Sequence, residues 1–314
     1  MSSPSIHYPP YPSRRYAWFV VFLLIIASLV AFMDRQIVAI VVGPMQRDLG
    51  VGDTQIGWLY GIHALFYAFA AIPIASLADT KSRKHIIAIG VFFWSLMTII
   101  CGLTKNYMQI FLARIGVGVG EATLTPSTTS LIGDYFPRED VPLAMSIFQA
   151  GPIIGTGIAF IVGGFVLQLV EGAPPLVLPI IGELVPWQQT FLYLGVPGIL
   201  LAFVMLLIRE PVRRPSESKI EGATNIEELI AFYRDNSKTI IFHHIGNLSL
   251  LMTGFAFVFW SITFFVRVHD MDASRASQIF GWIYIFVGPL GPLLIAYFAK
   301  YQSQKGYYDA NMTA

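Results

Sequence analysis

Long stretches without a charge decide what this chain can fold into. From residue 17 to residue 33 no side chain is charged, and eight apolar runs of this kind recur along the 314 residues. A helix needs roughly 20 mostly apolar residues to cross about 30 Å of hydrocarbon. Charged residues make up 12% of the chain and hydrophobic ones 55%, against about 25% charged in an ordinary soluble domain. A water-soluble globule could not cover that much apolar surface. The chain is therefore expected to be an all-α integral membrane protein. Unbroken runs of this length are not the short alternating segments of a β-barrel. A single cysteine rules out a disulfide framework, and 24 phenylalanines rule out disorder.

The runs are 17–33, continued past Asp34-Arg35-Gln36 by 37–45, then 54–78, 86–104, 107–133, 141–170, 188–208, 239–266 and 276–299. Residues 172–182, with Pro174, Pro175 and Pro179, are too short and broken to span and are expected at the interface. The Pro-rich arm 1–15 is expected to be flexible and uncleaved. Connections on the amino-terminal side carry 14 Lys and Arg, and those on the opposite side carry 4. That imbalance predicts a cytoplasmic amino terminus in a multi-pass protein of the cell membrane.

The longest polar stretch, 209–238, separates a six-span bundle (16–208) from a partial second bundle (239–314). Within it Ile226, Leu229, Ile230 and Tyr233 share one helical face. Asn225 and Glu228 are placed to cap that helix. An internal echo supports two halves: 74–84 and 295–305 agree at five of eleven positions, after the second and eighth runs. Repeats of six spans are one way to build a transporter. On that pattern the sequence is expected to be incomplete after its eighth span.

Four charges interrupt the apolar runs: Asp34, Arg35, Arg114 and Glu121. Each costs at least about 2.5 kcal/mol at mid-membrane, so an idle one is disfavoured. At 1.5 Å per residue, Asp34 lies roughly 14 Å and Arg114 about 10 Å from the outer end of their runs. The two are therefore expected to meet. Arg114 and Glu121, seven apart, share a helix face. A carboxylate beside a guanidinium stays ionised, and one released into apolar surroundings takes up a proton. Two readings follow: structural ion pairs between helices, or a proton-coupled carrier. His63, His243 and His244 are weaker candidates, each most simply a packing residue.

These motifs resemble the major facilitator family. The segment Ala75-Ser-Leu-Ala-Asp79-Thr-Lys-Ser-Arg83-Lys84 is similar to the family signature between the second and third spans, with Ala75, Thr80 and Ser82 departing from it. Arg114-Ile-Gly116-Val-Gly118-Val-Gly120-Glu121 resembles the fourth-helix motif, and Gly151-Pro152-Ile-Ile-Gly155 the fifth-helix motif of antiporters. Asp34-Arg35-Gln36, Asp53-Thr54-Gln55-Ile56-Gly57 and Asp134-Tyr-Phe-Pro-Arg-Glu point to the spinster-like branch.

The resemblance implies a complete six-helix amino-terminal half and the first two helices of the carboxy-terminal half. It implies that Asp34 and Glu121 are protonatable, with Arg35 and Arg114 as their charge partners. Asp79, Arg83, Lys84, Asp134 and Arg138 would form a cytoplasmic latch whose usual partner helix, the eleventh, lies outside this sequence. Gly151, Pro152 and Gly155 would serve helix packing or a hinge. Gly116, Gly118 and Gly120 alternate, so they thin two faces of one helix.

The expected function is secondary active transport of an organic solute, small or lipid-like: proton-coupled export across the bilayer by alternating access. Spinster-like relatives carry lysolipids and sphingoid phosphates. Uniport or symport, and a truncated non-transporting membrane remnant, receptor or scaffold, are the alternatives. Lone Cys101, the want of a metal-ligand cluster and the want of an ATPase loop speak against an enzyme, a metal or another cofactor. A net charge of +1 speaks against a nucleic-acid partner.

Overall fold

The computed structural model describes residues 9–174, 176–179, 181–214 and 226–305. Backbone groups in lipid must be satisfied within their own segment, and nearly all of the described chain is helical. The first run gives α1 (Arg14–Ile40) and a short α2 (Val42–Leu49), which Gly50 ends in the left-handed region at φ 65°. Then follow α3 (Asp53–Thr80) and α4 (Arg83–Leu103). The fourth run divides into α5 (Tyr107–Glu121) and α6 (Leu124–Tyr135). Next come α7 (Val141–Glu171) and α8 (Pro186–Leu206), then α9 (Ile226–Asp235) and α10 (Ser237–His269). The eighth run divides into α11 (Ala273–Val287) and α12 (Leu290–Gln304), on either side of Gly288-Pro289.

Six of these helices are long and apolar enough to cross a membrane unbroken. The fourth and eighth expected spans are each a pair of shorter helices. Caps follow the local sequence. Asn106 Oδ1 accepts the Gln109 N–H at 3.0 Å while Gln109 reaches back to the Lys105 N–H at 2.7 Å. Asp272 opens α11 by accepting the Arg275 N–H at 3.0 Å.

Glycines set the helix crossings. A methyl on Gly198 of α8 would stand 2.0 Å from Ser95 Oγ of α4, and one on Gly102 would stand 2.5 Å from the Gln188 carbonyl. On α7, Gly157 meets the Gly281 carbonyl of α11 at 2.9 Å, and Gly155 meets Leu29 of α1 at 3.2 Å. Gly151 is looser, with Ser28 Oγ at 3.8 Å. Small residues let backbones approach where lipid supplies no hydrophobic drive. Helix α7 runs unbroken through Pro152, whose carbonyl accepts the Thr156 hydroxyl at 2.9 Å. Outward faces remain apolar: Phe69, Ile72, Leu200 and Leu207 are exposed.

Three sequence expectations change. Part of 172–182 forms an antiparallel hairpin, β1 (Leu176–Leu178) with β2 (Gly182–Leu184), Val177 facing Glu183. Strands of three residues are too short to show alternation in sequence. Second, residues 9–13 of the expected flexible arm are held in place, as set out below. Third, the amphipathic helix forms as α9, but Asn225 of its expected cap lies outside the described residues; Ile230 and Tyr233 are exposed.

Candidate functional site

Arg35 and Glu121 form the shortest ion pair across the middle of the bundle. Arg35 Nε donates to Glu121 Oε2 at 2.6 Å, joining α1 to the last residue of α5. Glu121 is buried, whereas the Arg35 side chain keeps 23% of its surface open. The same Oε2 has His63 Nε2 of α3 at 3.2 Å, an ion-pair approach that lies off the hydrogen-bond line. The Arg35 guanidinium sits 4.8 Å over the Tyr67 ring and 5.1 Å over Phe32.

The alternating glycines explain how three helices converge there. Gly118 faces α3, where an added methyl would meet the His63 carbonyl oxygen at 2.4 Å. Gly116 and Gly120 face α4, against Met97 at 2.6 Å and Trp94 at 2.7 Å. The helix breaks directly after Glu121, with the Thr123 hydroxyl donating back to the Gly120 carbonyl at 2.8 Å.

Asp34 and Arg114 meet as depth predicted, but not as a carboxylate–guanidinium bridge. Arg114 Nη1 donates to the Asp34 main-chain carbonyl at 3.0 Å. Both Asp34 carboxylate oxygens, and Arg114 Nε and Nη2, are buried without a hydrogen bond inside the protein. Thr98 and Ser95 of α4 are in the same condition. Buried polar groups left unmatched are rare and costly. Arg114 and Glu121 share a face yet do not pair; Glu121 belongs to Arg35.

A cavity of about 490 Å³ opens beside the pair, between α3 and α10. Its walls include Arg35, Tyr60, His63, Tyr67, Phe259 and Trp260. A neighbouring cavity of about 380 Å³ shares Arg35 and Tyr60 and adds Gln36, Thr156 and Tyr284. One cationic group and a rim of polar groups therefore face a space otherwise walled by aromatic and aliphatic side chains. Sequence reading missed Tyr60, Tyr67 and Trp260, because aromatic residues are ordinary in a membrane span.

At the Arg83 end of the bundle the expected latch is only partly assembled as foreseen. Arg83 is buried and donates from Nη1 to Asp134, and to Ser130 Oγ at 3.0 Å. Its Nε donates to Glu210 Oε1 at 2.8 Å. Glu210 also accepts the Lys84 N–H at 2.9 Å and the Ser82 hydroxyl at 3.0 Å, so a carboxylate sits on the first turn of α4. Burial pushes the Glu210 carboxyl up, but hydrogen bonds from the Lys84 N–H and from Arg83 outweigh it and hold the carboxyl below its usual range.

Asp79 enters this network through its backbone: Arg213 donates to the Asp79 carbonyl at 2.6 Å and to the Ala78 carbonyl at 2.7 Å. Lys84 Nζ reaches the Leu206 carbonyl at 3.4 Å, and Arg138 is exposed in the turn before α7. Glu210, Arg213 and Arg214 were not singled out from sequence. Their signal was an acid and two bases directly after a span, opposite the basic 81–84 turn.

The arm joins the same end. Arg214 donates to the Pro9 carbonyl at 2.6 Å and lies 3.5 Å over the Tyr11 ring. Tyr16 accepts the Arg209 N–H at 2.9 Å. At the opposite end, Arg267 of α10 grips Asp53 of α3 with two bonds, at 2.6 and 2.8 Å, and reaches Gln46 Oε1 at 2.9 Å. His243 and His244 lie exposed on α10, far from any of these clusters in sequence and contact; His244 bonds its own helix, 2.7 Å from the Ile240 carbonyl. Among the described residues no group of His, Cys, Asp and Glu has the spacing to hold a metal.

The sequence profile of the Major Facilitator Superfamily matches residues 24–307. The chain belongs to that superfamily. Its fold matches a crystal structure of a bacterial homologue of the human lysosomal transporter spinster, inward-facing and unoccupied. The TM-score is 0.77 and the identity 28%, over 94% of this chain and 64% of that one. The spinster protein of Drosophila melanogaster is 26% identical over 304 residues, 92% of this chain and 48% of the relative. The probable L-galactonate transporter of Escherichia coli (strain K12) is 31% identical over 180 residues, 57% of this chain and 36% of the relative. This member of the superfamily thus spans about half the length, or less, of the two curated relatives named here, which are transport proteins and not enzymes.

Proposed function

We propose that this protein acts as a secondary transporter that exchanges protons for an organic anion by alternating access, with Glu121 as the proton-exchanging carboxylate. One observation carries the reading: buried Glu121 is held by Arg35, and Arg35 also faces the cavity. A substrate anion arriving in the cavity competes with Glu121 for the same guanidinium. Once Arg35 turns to the substrate, Glu121 is left in apolar surroundings and takes up a proton. Substrate and proton thereby exclude one another, which is the logic of antiport.

The aromatic walls beside Arg35 fit a solute with an apolar part as well as a negative group. Asp34 and Arg114 form a second buried charge site one helix layer away, with Asp34 able to change protonation without breaking a direct ion pair. The amino terminus and the Arg83 end are assigned to the cytoplasm of the cell membrane, on the excess of basic residues there. In this reading residues 1–15 are an arm, 16–208 a six-helix bundle, 209–238 a linker, and 239–314 two spans of a second bundle. The Arg83–Asp134–Glu210 network steadies the cytoplasmic end, and the Arg267–Asp53 clamp closes the outer end. Likeness to an inward-facing structure agrees with that closure. Gly151, Pro152 and Gly155 form the face on which α7 slides against α1.

The test is uptake into proteoliposomes with and without a pH gradient, using L-galactonate and a lysophospholipid as probes. Gradient-driven movement of either supports the reading. Movement of a probe that ignores the pH gradient replaces antiport with uniport, and movement of neither refutes the proposed substrate class.

A further inference from the structure

Glu121 does not line the cavity, so a proton bound for it needs a path. Four ionisable side chains do line the wall: Arg35, Tyr60, His63 and Tyr67. A guanidinium keeps its proton at every physiological pH, and a phenol titrates near 10. Imidazole alone carries two ring nitrogens, one able to accept a proton while the other donates. His63 also touches the target, with its Nε2 3.2 Å from Glu121 Oε2, on the oxygen that Arg35 occupies at 2.6 Å.

We infer that His63 is the proton relay between the cavity and Glu121. This rests on the reading of Glu121 as the exchanging carboxylate. A proton from the cavity binds the free ring nitrogen while Nε2 passes its own proton to Oε2. Charge and atoms balance: one proton enters, one moves on, and the ring ends neutral in its other tautomer. The reverse transfer, in which Oε2 returns its proton to Nε2 and the other ring nitrogen releases one to the cavity, restores the starting state.

The structure supports the relay in three ways. Gly118 removes the side chain that would hold α5 away from the His63 carbonyl, which brings the His63 backbone close to α5. The 3.2 Å approach is not yet an aligned hydrogen bond, so the ring is not locked there. His63 spans the boundary, lining the cavity while itself buried. The charged and titratable groups around it are Glu121 and Arg114 from α5, Arg35 and Asp34 from α1, and Tyr60 and Tyr67 from α3. Asp134, the acid of α6, is held by Arg83 at the other end. From α10 the cavity it lines takes Met252, Phe255, Ala256, Phe259 and Trp260, none of them titratable.

The decisive experiment needs no substrate when it is run in an Arg35→Gln background, where no guanidinium holds Glu121 ionised. In the detergent-solubilised protein a pH jump is followed by time-resolved infrared absorption. The band of protonated Glu121 is the one that vanishes in Glu121→Gln. In His63→Gln that band should still appear at equilibrium but form about 100-fold more slowly, the scale of a lost general acid–base group. Added imidazole should restore the rate in His63→Ala, which a packing role would not allow. His63→Asn serves if the glutamine variant does not fold. Unchanged kinetics in both amide variants overturn the relay and leave Glu121 standing. An Arg35→Gln protein that never shows a Glu121-dependent band overturns both.

Discussion

Adding one methyl group at Gly118 should destabilise the protein, although the same change usually stabilises a helix. The methyl would stand 2.4 Å from the His63 carbonyl oxygen, where ordinary contact begins near 3.4 Å. The obstacle is backbone, so α3 and α5 must part by about 1 Å instead of repacking a side chain. Overpacking of this kind costs about 1–3 kcal/mol, and replacing Gly by Ala within a helix returns about 1 kcal/mol. The net expectation is a loss of up to about 2 kcal/mol, together with a widened His63–Glu121 approach. Gly133→Ala on α6 is the internal control. Nothing lies within 4 Å of its added carbon, so only the gain of about 1 kcal/mol remains. Unfolding in detergent micelles titrated with dodecyl sulfate, followed by circular dichroism, should move the two midpoints in opposite directions. Equal shifts, or a stabilised Gly118→Ala, would refute the claim that this crossing holds the site together.

Arg114→Ala should cost about 1–3 kcal/mol, since it leaves the buried Asp34 main-chain carbonyl without its hydrogen bond; adding Asp34→Asn should not recover the loss in a melting assay. Glu210 gives a pH signature with a definite sign. Its folded carboxyl lies below the unfolded value of about 4.3, so its contribution is complete above that pH and fades as pH falls through the folded value. An acid-unfolding curve should therefore be shallower in Glu210→Gln than in the parent. Arg267→Gln should barely change stability, because the pair is half exposed. It should lengthen the spin-label distance between Leu49→Cys and Val268→Cys, and an unchanged distance would remove the clamp from the account.

How much was legible in sequence depended on whether the feature was local. The eight runs, the charges within them and α9 followed from hydropathy and periodicity, because a helix in lipid satisfies its own backbone. Alternation at Gly116, Gly118 and Gly120 foretold two thinned faces, and the structure fills them with α3 and α4. Pairing across helices was less legible. Depth along the axis placed Asp34 near Arg114, yet rotation about the axis sends the guanidinium to a carbonyl and gives Glu121 to Arg35. Rotation depends on packing against neighbours, which no single run encodes. Glu210, Arg213 and the docked part of the arm escaped notice for a related reason. Their partners lie more than 100 residues away in sequence, and polar residues after a span ordinarily face water.

The central claim is that Glu121 carries the exchanged proton, and proton flux itself tests it most directly. Proteoliposomes loaded with a pH-sensitive dye should report proton movement when the transported probe is added to the parent protein. In Glu121→Gln the probe should still bind and exchange against itself, with no accompanying proton signal. Proton flux of undiminished size in that variant would contradict the account.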